Sequence, residues 1–307
     1  MCNNNIRPKQ TIVQSGNEVS VLFCNTERMY WLETITEVYE LFHDNNQNLA
    51  DQVIRFDFDE KISSKDIKPF HLVTLACLIH FLYGLEHRVF VSRNNEVSEY
   101  IYKDLGFSEY WRRGKNYVEA TSHSSIFNLW RITEEEKDLY AKRIEDYLRR
   151  TYFANKDLSV VSVGLVEAYY NVFDHACAKG NAFSLIQFDE ETSVLYVAVS
   201  DFGIGIAQSV RDYEKNILSD KEAILKAIED NFTVKSTKRN KGMGLSFIIA
   251  PSREARIFSH KGLVYKNGTT IEAYDTDMSF PGTLIYYEID LSRMEDEEIM
   301  SEFDFFN

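Results

Sequence analysis

The sequence predicts an α/β protein in two parts, and three observations carry that prediction. Apolar strand-like runs alternate with helix-like stretches up to about residue 130. Two consecutive helix patterns follow, and then a second group of strand patterns from residue 183 onward. At 307 residues the chain is long enough for two modest cores.

Composition narrows the classes. Apolar residues make up 44% and charged residues 27%, an ordinary balance for a globular chain. With 21 Phe, 18 Tyr and only 4 Pro, the composition argues for packed cores over long linkers. The formal charge of −14 repels a polyphosphate backbone, so nucleic acid is disfavoured as a partner outside a local basic patch. The one short basic cluster runs from Lys235 to Lys241. The cysteines (Cys2, Cys24, Cys77, Cys177) are widely spaced without a CxxC pair, and read as buried free thiols. The best apolar run, Leu72 to Leu82, contains His80 and is too short to cross a bilayer. A cytoplasmic protein without a membrane span is the expectation.

Taken in order, VSVLFC (19–24) and VIRFDF (53–58) read as strands, with a helix pattern from Trp31 to Leu41 between them. Phe70 to Tyr83 is a strongly apolar helix, HRVFVS a strand, and Val97 to Leu105 an amphipathic helix. The domain boundary falls at residues 130/131. Thr133 to Arg150 opens on a threonine and three glutamates and closes on two arginines, complementing a helix dipole. Leu158 to Ala178 is a second helix. Strands follow at 183–188, 194–200, 255–259 and 283–289, with a long polar, lysine-rich segment (Gln208 to Lys241) between the second and third. An acidic tail with late phenylalanines occupies 293–307.

Candidate chemistry begins on the Leu158–Ala178 helix. At about 100° per residue, Glu167, Asn171, Asp174 and His175 share one polar wedge. Gly164, Ala168 and Ala178 border it and leave room for a ligand. A narrow solvent stripe on an amphipathic helix accounts for the wheel equally well, although the helix carries no basic residue before Lys179. The apolar strand VLYVAVS then runs straight into Asp201-Phe-Gly203-Ile-Gly205. An ionised Asp only accepts hydrogen bonds, so it suits the 6-amine of adenine over the 6-carbonyl of guanine. The glycines permit positive φ and close backbone approach. By itself this pattern is weak, and a plain β-turn is its commoner explanation. Farther on, Gly242-Met-Gly244-Leu245 leads into the apolar run SFIIA, a turn-to-helix arrangement whose free amides favour phosphate. The preceding Lys235–Lys241 cluster reads as a nucleotide lid.

In order, E-x3-N-x3-H (Glu167, Asn171, His175), D-x-G-x-G (Asp201, Gly203, Gly205), G-x-G-L (Gly242 to Leu245) and Gly282-Thr283 resemble the GHKL superfamily of ATPases and kinases. The resemblance spans Thr133 to Leu291, about half the chain. It implies a Bergerat-type α/β sandwich with a mixed sheet, with ATP and Mg2+ as cofactors. By the same analogy Asn171 coordinates the metal and Glu167 orients or deprotonates the attacking group. Asp201 binds the adenine amine, Gly203 and Gly205 shape its pocket, and Thr283 adds a hydrogen bond there. Lys241, Gly242 and Gly244 meet the phosphates. His175 matches the anti-sigma-factor kinase branch, and packing explains it as well. The amino-terminal region resembles a STAS domain, with Ser63 and Ser64 in the loop that carries a regulated serine in such domains; a plain loop serine is the simpler reading. The chain departs from sensor histidine kinases: no H-E-x-x-x-P-like phosphoacceptor precedes the second part, and only one helix precedes that of Glu167. Asn240 and Lys241 also stand where an additional glycine would help cradle phosphate.

The expected function is Mg-dependent ATP hydrolysis acting as a conformational switch on a regulatory protein partner or on the first domain, with a homodimer open. The alternatives are an anti-sigma-like serine/threonine kinase and a non-catalytic nucleotide-sensing module.

Overall fold

The computed structural model describes residues 11–44, 51–93, 95–105, 107, 126–173, 178, 180–214, 218–229 and 244–296. The first part is a four-stranded mixed sheet in the order β1 (Ile12–Ser15), β2 (Glu18–Phe23), β3 (Val53–Phe58), β4 (Arg88–Val91). A tight turn through Gly16, at φ +61°, makes β1 antiparallel to β2. Helix α1 (Arg28–Asp44) carries the chain to β3, and α2 (Pro69–Gly84) carries it to β4, so β2, β3 and β4 run parallel. A short helix, α3 (Glu96–Glu99), runs directly into a wider-wound helical turn, Tyr100–Asp104, over the expected 97–105 helix. The alternating strands turn Val19, Val21, Phe23, Ile54, Phe56 and Phe58 inward, while Val13, Leu22 and Phe90 stay exposed.

The second part is a five-stranded sheet in the order β5 (Ile126–Arg131), β6 (Ala182–Asp189), β7 (Val194–Asp201), β9 (Thr270–Asp290), β8 (Glu254–Asn267). A mixed sheet is expected here, but every pairing is antiparallel. The reason is topological. The crossover from β7 to β8 joins two strands of like direction, and β9 then inserts between them, antiparallel to both. Strand β5 enters this sheet from Ile126, a few residues ahead of the expected boundary at 130/131. Helices α4 (Lys137–Thr151), α5 (Ser159–Asn171), α6 (Gly205–Glu214), α7 (Asp220–Ala227) and α8 (Ser246–Ile249) complete the part. Helix α4 starts later than expected: Thr133 bonds the Glu136 carboxylate (3.0 Å), while the Lys137 ammonium reaches back to the Glu134 carbonyl (3.0 Å).

Two halves share a core. One face of the second sheet (Phe183, Tyr196, Ala198, Phe258, Leu284, Tyr286) packs in the same cluster as α1, α2 and the first sheet. The other face (Ile186, Val197, Val199, Ile257, Ile285, Tyr287) packs on α4 to α8. Helix α2 is apolar nearly all round because it lies between two sheets, where a polar face would meet no water. Phe70 meets Tyr286 edge-on at 5.5 Å, His80 meets Phe183 at 5.7 Å, and the Cys77 thiol donates to the Ser200 carbonyl (3.3 Å). Cys77 is buried, as expected, whereas Cys24 is only half-buried; both are free thiols.

Strands β8 and β9 far outrun the expected 255–259 and 283–289. They form an arm whose turn holds Gly268 at φ +58°. The register breaks at His260 and again before Gly262, where a Cβ would lie 2.7 Å from the Asp220 carbonyl carbon. The arm thereby bends onto the helices. Its buried Lys266 ammonium donates to the carbonyls of Ala250 (2.8 Å) and Ser252 (2.7 Å), satisfying groups that the end of α8 leaves open. Among the described residues no helix is long and apolar enough to cross a membrane.

A shared core predicts shared unfolding. Calorimetry of the full chain should show one cooperative transition, and Phe183→Ala should lower stability by about 3–5 kcal/mol across all of it. Two transitions, only one of them moved by the substitution, would contradict the shared core.

Candidate functional site

Strand β7 is buried along its whole length, and its last residue is Asp201, 3% exposed. Alternation puts Asp201 on the face of Val197 and Val199, toward the helical layer, and Ser200 on the face of Ala198, toward α2. The Asp201 carboxylate accepts the Gly203 N–H (2.9 Å), and Thr283 lies opposite it across the β7–β9 pair. Burial lifts the Asp201 carboxyl from 3.8 to about 7, against the pull of hydrogen bonds from the Gly203 and Thr283 amides.

The loop after Asp201 is fixed by close packing. Gly205 holds φ +77°, and a Cβ there would lie 2.6 Å from Ser259 Oγ and 2.9 Å from the Gly282 carbonyl oxygen. Gly282 holds φ +109°; a Cβ would collide with the Asp201 carbonyl oxygen and lie 2.7 Å from the Gly203 nitrogen. Gly203 itself does not adopt a positive φ. Helix α6 begins at Gly205, and two of its first amides are capped from the sheet. Thr283 Oγ1 accepts the Ile206 N–H (3.1 Å), and Ser259 Oγ accepts the Ala207 N–H (3.2 Å). The His260 Nε2–H donates to the Ile204 carbonyl (2.7 Å). The Thr283 hydroxyl thus accepts a backbone amide at the start of α6.

On α5, Glu167 and Asn171 are both half-buried, one turn apart. The Asn171 Nδ2 donates to the Glu167 carbonyl (2.7 Å), which leaves Oδ1 as the acceptor end of the amide. Gly164 and Ala168 are expected to border a ligand space, but both are buried toward the sheet. At Gly164 the missing Cβ makes room for the Tyr287 hydroxyl, 3.3 Å from where that atom would be. Next to Ala168, Tyr169 shares a hydrogen bond with Ser184 of β6 (3.0 Å). A cavity of about 440 Å³ opens instead at the start of α5, between Val160 and Val163 and the Phe247–Pro251 side of α8. Val160, Val163, Glu167 and Asn171 follow one helical face, so the cavity adjoins the wedge.

The structure therefore brings together Asp201, Gly203, Gly205 and Thr283, and separately pairs Glu167 with Asn171. Gly244 is half-buried at φ +70°, directly before the turn into α8. Lys241, Gly242, Asp174, His175 and the Lys235–Lys241 cluster lie outside the described residues. Part of the polar Gln208–Lys241 segment is packed helix: among its described residues Val210, Ala223, Ile224 and Ala227 are buried. Its periodic apolar positions outweigh its polar average. Sequence reasoning also missed Ser259 and His260. Ser259 continues the inward face of Ala255 and Ile257 only up to the register break, and a polar residue at such a position is the signal that marks it.

No family model, curated protein or solved structure matches this chain.

The glycine geometry is testable by contrast. Gly282→Ala should cost roughly 2 kcal/mol or more in urea unfolding, whereas Gly268→Ala, also at positive φ but in open space, should cost only about 1 kcal/mol. Equal costs would show that the close approach behind Asp201 is not needed.

Proposed function

We propose that the second part of the chain binds ATP with magnesium and hydrolyses it as a conformational switch. The observation that carries this reading is Asp201: a carboxylate buried at a strand end, held by the Gly203 amide and flanked by a threonine hydroxyl. The Gly203 and Thr283 amides leave the carboxylate with acceptor sites to spare, and the 6-amine of adenine is a donor that guanine lacks at that position. The four motifs in order, with Glu167 and Asn171 adjacent on α5, support the phosphate end of the reading.

The donor set agrees with magnesium. Among the described residues no three His, Cys, Asp or Glu side chains gather into a metal site. Magnesium commonly takes one or two protein oxygens and completes its shell with phosphate and water. Asn171 Oδ1 would supply one such oxygen, and the bound ion would neutralise phosphate charge. Glu167 would orient the attacking water and take its proton.

A second reading, a serine/threonine protein kinase, is supported by the cavity along the same α5 face as Glu167, which has room for more than water. Incubation with labelled ATP separates the two, since stable phosphoserine marks the kinase and free phosphate alone the ATPase. STAS-like character of the first part remains part of this proposal, as the recipient of the switch or of the phosphate.

Two outcomes are expected. Asp201→Asn should weaken ATP by about 10- to 100-fold in calorimetry, the loss of a hydrogen bond to a charged group. Because the Asp201 pKa is raised to about 7, its neutral form favours folding, an advantage complete below about pH 4 and lost as pH rises to about 7. Adenine favours the ionised form, so ATP affinity should fall about tenfold per pH unit below 7 and level off above it, while Asp201→Asn flattens the profile. An unchanged profile would remove Asp201 from the site. Glu167→Ala should abolish turnover and leave ATP affinity within about threefold, and persistent turnover would exclude Glu167 as the base.

A further inference from the structure

Residues of the first half stand directly behind the Asp201 loop. Phe202 follows Asp201 and turns the opposite way, toward the shared core, where it is half-buried. Its ring meets Phe280 of β9 edge-on at 5.9 Å and Tyr39 of α1 edge-on at 5.3 Å. Tyr39 is itself wedged against Phe81 of α2 (4.5 Å) and stacked on His43 (5.2 Å). The backbone of the same residue is also tied: the Phe202 N–H donates to the Asn181 carbonyl (3.1 Å), and the Asn181 side chain donates to the Cys77 carbonyl of α2 (3.1 Å). Beside it, the Cys77 thiol donates to the Ser200 carbonyl. The peptides on either side of Phe202 carry the Asp201 carboxylate and the Gly203 N–H that it binds, so a shift of this ring moves both.

Resting on the nucleotide reading above, we infer that Tyr39 is a positioning residue for the adenine loop, and that the first half of the chain thereby sets the nucleotide affinity of the second. Tyr39 touches no ligand. It fixes the ring of Phe202 and, through that ring, the direction of the Asp201 carboxylate. Coupling of this kind is reciprocal: nucleotide binding steadies α1, and whatever displaces α1 weakens nucleotide binding by the same factor. The route runs through side chains in contact, with no lid involved.

The test is calorimetry of the full chain with magnesium and a non-hydrolysable ATP analogue, joined to hydrogen exchange of α1. Tyr39→Ala should weaken the analogue roughly three- to tenfold, the worth of one edge-on aromatic contact, while Tyr39→Phe, which keeps the ring, retains wild-type affinity. Phe202→Ala should weaken binding similarly, and the double variant should lose little more than either single one. In the wild type, the analogue should slow exchange in α1, and in Tyr39→Ala it should not. Should Tyr39→Ala fail to fold, Phe202→Leu provides the same affinity and exchange readouts. Wild-type binding with Tyr39→Ala unaffected and α1 exchange insensitive to ligand would overturn this inference and leave the nucleotide reading standing. Additive losses in the double variant, or a Tyr39→Phe loss equal to that of Tyr39→Ala, would also overturn it. No binding by the wild type would overturn both.

Discussion

Helix α2 has no polar face to offer water, and that constraint organises the molecule. A helix apolar nearly all round must be buried all round, and here it lies between a mixed four-stranded sheet and an antiparallel five-stranded one. The second sheet is consequently covered on both faces, by α1 and α2 on one side and by α4 to α8 on the other. Burying apolar surface at about 25 cal/mol per Å² makes such an interface costly to open. The two halves share one buried cluster, although their sequences read as two domains.

The same burial explains the chemistry proposed at the end of β7. A carboxylate that is 3% exposed is costly to ionise, and the nearby amides offset only part of that cost. The loop around it leaves no slack. Gly205 and Gly282 take backbone angles that other residues avoid, and they bring β7, β9 and the start of α6 closer than a Cβ allows. The loop is thereby held in one backbone shape, and its rear wall belongs to the first half.

Much of this is legible in the sequence where the pattern is local. VIRFDF matches β3 end to end, and the strongly apolar Phe70–Tyr83 run matches α2, because strand alternation and helical apolarity need only neighbouring residues. The glycines of the Asp201 loop are likewise legible as residues, and the structure gives Gly205 and Gly282 their positive φ. What the sequence concealed is non-local. That α2 touches the second sheet depends on a partner more than a hundred positions away, as with Cys77 and Ser200. That Gly164 serves Tyr287 is likewise invisible on a helical wheel, which shows a face but not what meets it. The Gln208–Lys241 segment reads as polar because six lysines and six acids set its average, although Val210, Ala223, Ile224 and Ala227 recur at core positions. The long β8–β9 arm was missed even though Asn267-Gly268 is a recognised hairpin signal.

A crystal structure of the full chain with magnesium and a non-hydrolysable ATP analogue tests the central claim most directly. The account predicts the adenine 6-amino nitrogen within hydrogen-bond distance of an Asp201 carboxylate oxygen, about 3 Å, with the phosphates directed toward Asn171. Adenine seated elsewhere, or an Asp201 carboxylate still closed off in crystals grown with saturating analogue, would contradict it.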